Sequence, residues 1–267
     1  MRLAIFSFFL AASAFAQPAL TAPQVGRIRD NNNTVRPVLG LAGSFIVGDA
    51  AESGVVSAAF SSNLGILKTD TALIAVDPQN QVLSTQDAPA GSALISFLAL
   101  ESTGAQPQAL VYFPQSGALL RWSGSRFDSV PFDATQFAGD VLSLAVTAVD
   151  AATFLVQRDD GLWLVREDLS IGGINSTEPL PGISAPAFLL SDGSLLYLDS
   201  GSLILRRADR TESRHRLPIA AASFEQMADE WIHIREQNGG NPNQGREFAV
   251  RLTKGRERIY ELPQLPQ

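Results

Sequence analysis

The stretch 109–122 reads ALVYFPQSGALLRW: five apolar residues, a turn ending on Gly117, and a second apolar run closed by Arg121 and Trp122. It returns as TFLVQRDDGLWLVR at 153–166 and as SLLYLDSGSLILR at 194–206. A looser copy, ALIAVDPQNQVLS, occupies 72–84, and Trp231 to Arg235 with Phe248 to Arg251 form a last one across a long loop. Short apolar runs bounded by Asp, Ser, Asn, Gly and Pro are strand–turn–strand units. Asn80, Gly117, Gly161 and Gly201 can take the positive φ that tight hairpin turns demand. Measured between those four residues the spacing is 37, 44 and 40.

A period near 40 with four short strands per unit is the pattern of a propeller blade. Ala93 to Leu100, Val141 to Val149 and Ala185 to Leu190 precede the hairpins and are expected as innermost strands. Arg126 to Phe132, Glu212 to Leu217 and Arg258 to Leu262 follow them, are more polar, and are expected as outer edges. The expected fold is therefore all-β: a β-propeller of five or six blades, each a four-stranded antiparallel sheet. At the front, Gly26 to Asp30 and Thr34 to Val38 flank Asn31, Asn32 and Asn33. They read as the third and fourth strands of a blade lacking its first two, so that 24–40 closes the ring by covering strand edges.

Ahead of these repeats, Arg2, the apolar run Leu3 to Ala12 and the small-residue site Ala14-Phe15-Ala16 read as a secretory signal peptide over 1–16. Its removal leaves 17–267 as one propeller domain of 251 residues, with 19 basic against 27 acidic residues and a net charge of −8. Nucleic-acid recognition, which needs clustered positive charge, is excluded on that balance. No second apolar run approaches the roughly 18 residues of a bilayer span, and the expected location is secreted or periplasmic. The chain has no Cys, which removes disulfides, thiolate nucleophiles, haem attachment, iron–sulfur clusters and Cys-bearing zinc sites. The segment 237–245, QNGGNPNQG, is inserted where other repeats turn tightly, and reads as a flexible tip or a binding loop.

The repeats resemble those of secreted bacterial β-propeller proteins over roughly 25–262, a resemblance of architecture alone. No Gly-His/Trp-Asp pairing, kelch Gly-Gly or complete Asp-box is present. What the resemblance implies is the propeller fold, and a fold of this kind hosts many functions.

No Gly-x-Ser-x-Gly elbow occurs, and the two histidines sit in poor settings for a base: His215 between Arg214 and Arg216, His233 on a strand beside Trp231 and Arg235. Two distant histidines make no metal set, and Asp159, Asp160, Asp192 and Asp199 each serve turn chemistry, so no metal and no cofactor are expected. Glycoside hydrolysis remains as the one chemistry needing only carboxylates, two of them about 5–9 Å apart at the axial strands. The candidates are Glu101, Asp140, Asp150 and Glu225. Arg29, Arg121, Arg166, Arg206 and Arg251 recur at similar strand positions and read first as stems covering apolar surface, second as an anion-binding ring. Trp122, Trp163 and Trp231 recur with the blades and are expected between them. The functional expectation is an exported, non-enzymatic propeller presenting loops to a protein or an extracellular ligand, a carbohydrate among them. A glycosidase-like enzyme and a structural envelope protein are the alternatives. Expression with export should yield a protein starting at Gln17; an intact mass that retains residues 1–16 would overturn the export reading.

Overall fold

The computed structural model describes residues 22–98, 108–237 and 245–264. Its strands form six antiparallel sheets arranged as six blades, one of three strands and five of four. The first blade holds β1 (Gln24–Arg29), β2 (Val35–Leu41) and β3 (Ser44–Val47), and the second β4 (Val55–Phe60), β5 (Gly65–Thr69), β6 (Ala72–Val76) and β7 (Val82–Asp87). The third holds β8 (Leu94–Phe97), β9 (Ala109–Phe113), β10 (Ala118–Trp122) and β11 (Phe127–Ser129). After one 3-10 turn at Ala134–Phe137 come β12 (Asp140–Ala148), β13 (Ala151–Arg158), β14 (Gly161–Asp168) and β15 (Gly173–Pro179). The fifth blade holds β16 (Ala187–Leu189), β17 (Leu195–Asp199), β18 (Ser202–Arg206) and β19 (Glu212–Arg216). The sixth holds β20 (Ala222–Ala228), β21 (Trp231–Glu236), β22 (Glu247–Arg251) and β23 (Arg258–Glu261).

The repeated hairpins at 109–122, 153–166 and 194–206 are the middle two strands of their blades, as their all-apolar runs require. A blade is covered on both faces, so residues of both parities are buried. In β9, Leu110 and Tyr112 point into the layer shared with the fourth blade, and Ala109, Val111 and Phe113 into the layer shared with the second. Each junction between successive blades holds one such apolar layer, and the two flanking the first blade are built around Val35 and Val55 on one side and Ile28 and Met227 on the other.

The copy at 72–84 departs from expectation. It is β6–β7, the third and fourth strands of its blade. The true middle hairpin turns at Asp70 and Thr71, and its first strand is masked in the sequence by Lys68. That lysine lies fully buried, with Nζ donating to the Asp70 carbonyl at 3.1 Å and sitting 6.0 Å from the Phe113 ring centre.

The first blade departs too. β1 lies against both β20 and β4, but runs opposite to them. Gly26 abuts Met227 near the end of β20, where a Cβ would collide with the Met227 carbonyl. Arg29, at the other end of β1, bonds Glu225 in the middle of β20, and the Asn33 carbonyl accepts from Val55 N at the start of β4 (2.9 Å). That sense belongs to a blade's second strand. Among the described residues the first blade thus comprises strands two to four without an axial one, whereas the sequence pattern assigns its hairpin to strands three and four. β20 and β4 touch across the gap.

Elsewhere the axial strands are tied by buried serines. Ser57 Oγ accepts from Ala93 N (3.0 Å), Ser96 Oγ from Val146 N (3.2 Å) and Ser143 Oγ from Leu189 N (3.0 Å), joining the second to fifth blades in sequence. Each bond satisfies a backbone donor that no neighbouring strand reaches. Ser143→Ala should strand the Leu189 N–H at a cost of about 1–3 kcal/mol, seen as a melting temperature lower by several degrees. The exposed Ser125→Ala should leave it unchanged.

Candidate functional site

Two cavities lie around β1. The axial channel encloses about 200 Å³ between Ser57, Ala93, Leu144, Phe188 and Glu225, with Arg29 reaching in from the first blade. The larger cavity, about 530 Å³, opens at one end of the ring. Its walls are the start of β1, the β4–β5 turn (Ser61, Ser62), the β6–β7 turn (Pro78, Gln79) and the β20–β21 turn (Asp229, Glu230).

Of the four candidate acids, Glu225 is the one among the described residues that lines the channel. Its Oε1 accepts from Arg29 Nε at 3.0 Å, from Arg29 Nη2, and from Arg235 Nη2 at 3.3 Å, while Oε2 is buried without a partner. Burial pushes the Arg235 guanidinium below its usual range, and Glu225 opposes that shift. Both arginine side chains are nearly inaccessible, so this is a buried cation–anion–cation cluster tying the first blade to the sixth. Paired-carboxylate hydrolysis needs a second acid about 5–9 Å away, and neither Asp140 nor Asp150 lines the channel with Glu225.

Asp140 begins β12 and is exposed, and Asp150 lies in the turn after it, paired with Arg121 at 3.3 Å. The length of β12, Asp140–Ala148, separates them, roughly 26 Å for eight steps of about 3.3 Å, and neither lines the channel with Glu225. Glu101 lies outside the described residues, as do the stretch 1–16 expected to be a signal peptide and 238–244 of the Gly/Asn-rich loop.

The recurring arginines do not converge on one point. Arg121 pairs with Asp150 and Arg166 with Glu178 on the blade surfaces, and Arg251 lies over the Trp231 ring. Arg29 alone of the five lines the channel. Trp122 is fully buried between the second and third blades, and Trp231 packs on Phe45 across the junction of the sixth and first. Trp163 instead sits at the surface, its N–H on Asp160 at 2.8 Å and Arg158 over its ring. His233 is buried on β21 with Nε2 3.3 Å from Glu247. Among the described residues no cluster of three His, Asp or Glu side chains could hold a metal.

Besides Lys68, buried charges that the sequence does not single out include Arg27 and Glu167. Arg27 is 5% exposed and holds its terminal nitrogens on the Asp77 carbonyl (3.2 Å) and the Pro78 carbonyl. Glu167, on β14, is 3% exposed, and burial together with the charge of Asp133 raises its carboxyl to about 7. No local signal marks either residue, because each follows a strand alternation in which both faces are covered.

The fold defines a class, the six-bladed β-propeller. No protein-family model and no curated protein matches the chain. Solved structures do: a Bacteroides caccae protein of unknown function (TM-score 0.52, 12% identity, covering 85% of this chain and 88% of that one). A chain of a Nidogen/Laminin complex is similar as well, at TM-score 0.52 and 9% identity, covering 91% of this chain and 98% of that one. At such identities the likeness concerns the fold alone.

Two outcomes follow from these charges. Glu225→Gln should leave Arg29 and Arg235 buried together without an anion, at a cost of roughly 3–5 kcal/mol in urea unfolding. Glu167 behaves in the opposite sense. With its folded value raised from 4.5 to about 7, its contribution to stability is whole below the unfolded value and is lost as pH rises through the folded one. Glu167→Gln should therefore raise the urea midpoint near pH 8 and flatten its decline between about pH 5 and 8.

Proposed function

We propose that this protein is an exported, non-enzymatic β-propeller that binds a protein or another extracellular ligand through the end of the ring that carries the 530 Å³ cavity. The observation that carries the reading is the distribution of exposed apolar side chains. Among the described residues six large aliphatic side chains stand in solvent: Ile46 on β3 and Val82 and Leu83 on β7, both outer strands, and three at turns, Leu41 at the close of β2, Val149 in the β12–β13 turn and Ile171 in the β14–β15 turn. Strand alternation directs those turns to the same end as the cavity. Turns at the other end carry Asn31 to Asn33, Asp70 and Thr71, Asp159 and Asp160, and Ser200 and Gly201. Val149 and Ile171, exposed on neighbouring turns of the fourth blade at the cavity's end, support an interaction face there, since the turns of the other end are polar.

Export is supported by Arg2, the apolar run behind it and Ala14-Phe15-Ala16. A binding role is supported further by the similar chain from the Nidogen/Laminin complex, itself a protein–protein assembly. Catalysis by paired carboxylates is disfavoured because neither Asp140 nor Asp150 lines the channel with Glu225.

Photo-cross-linking in the source cells tests the proposal, with the reactive residue placed at Ile171 or, as control, at Asp160 at the other end. A discrete adduct from position 171 and none from 160 is expected. Equal adducts from both ends would overturn the docking face. Turnover of an oligosaccharide panel by the purified protein, lost in Glu225→Gln, would overturn the non-enzymatic reading.

A further inference from the structure

The 530 Å³ cavity is lined by two residues of opposite charge, Arg27 and Asp229, neither of which is in an ion pair among the described residues. On one side is Arg27. A guanidinium has five N–H donors, and here it meets two backbone carbonyls, while Nε has no acceptor. No carboxylate among the described residues forms an ion pair with it; burial lowers its pKa, the charge of Asp77 opposes that shift from beyond ion-pair distance, and its guanidinium carbon lies 5.5 Å from the Phe60 ring centre. On the other side is Asp229, whose two carboxylate oxygens both meet the backbone N–H of Ser62 at 3.2 Å and no cation. Arg27 is anchored to the β6–β7 turn and Asp229 is carried by the β20–β21 turn, so the two stand on different walls. Phe60, Met227 and Trp231 line the space with them.

Each simpler ligand leaves one charge opposed. A lone anion suits Arg27 but faces Asp229 and Glu230. A lone cation suits those acids but faces Arg27. A neutral sugar leaves the buried guanidinium uncompensated, and buried charge without a partner is the expensive arrangement. The volume is in the range of small-molecule sites, about 300–1,000 Å³.

We infer that this cavity binds a small zwitterion, an α-amino acid or dipeptide with an apolar side chain, its carboxylate directed to Arg27 and its ammonium to Asp229. The apolar side chain lies against Phe60, Met227 and Trp231. The site shares an end of the ring with the proposed docking face, yet it is read by a separate measurement, so failure here leaves the cross-linking result at Ile171 standing.

Titration calorimetry on the purified protein tests the inference with leucine, phenylalanine and leucyl-leucine, and with N-acetyl-leucine, leucine methyl ester and acetate as controls. At least one of the three zwitterions should bind. Blocking either end should weaken binding by roughly tenfold or more, since each charge-assisted contact is worth over about 1.4 kcal/mol. Asp229→Asn, at an exposed position, should weaken the zwitterion by a similar factor, leave N-acetyl-leucine unaffected and keep the melting temperature. No binding by any of the three zwitterions would overturn the inference. So would acetate or N-acetyl-leucine binding as tightly as leucine, which marks an anion site, or the methyl ester doing so, which marks a cation site. An unchanged affinity in Asp229→Asn would overturn it as well.

Discussion

A blade of this protein is a twisted sheet with two apolar faces, and neither face can leave water except against the next blade. The ring follows from that constraint. Six apolar layers stand where a layered domain would have one core, and each makes one blade's stability depend on its neighbours. The axial strands add a second demand, because their inner edges have no partner strand to pair with. Ser57, Ser96 and Ser143 answer it by accepting backbone N–H groups from the next blade. A hydroxyl oxygen on a short stem reaches where a strand cannot.

The first blade breaks the regularity, and the charged residues gather there. With three strands among the described residues, it presents β1 to the gap between β20 and β4. Arg29 fills the channel side of that gap and is neutralised by Glu225, which Arg235 holds from behind. Arg27 fills the other side and is held by the carbonyls of Asp77 and Pro78. The apolar layers on either side of this blade are thinner than the others, so ionic and carbonyl contacts carry part of the junction. The larger cavity lies beside the start of β1.

Function in such a molecule is placed by end. Turns after axial strands and before outer strands emerge together, and here they bring Leu41, Val149 and Ile171 to the end that opens on Arg27 and Asp229. Residues that are remote in sequence become one surface through the ring, and the polar turns of the opposite end share no such features.

The sequence by itself determined the all-β class, the blade period, the middle hairpins at 109–122, 153–166 and 194–206, the axial strands before them, and the outer strands of the third and fifth blades but not Gly173–Pro179 of the fourth. Those features are local: alternation, run length and a turn residue able to take positive φ are all written within a few residues. It left the blade count at five or six, because the first blade repeats only part of the unit and β5 hides behind Lys68. It named Glu225 and Arg29 separately but could not join them, since the two meet across 196 residues of chain. Tertiary structure alone decided that β1 runs against its neighbours, that Asp140 and Asp150 stand apart, and that Arg27 and Glu167 are buried. Charge, exposure and partnership are properties of the closed ring, and only closure places a turn of the sixth blade beside a turn of the second.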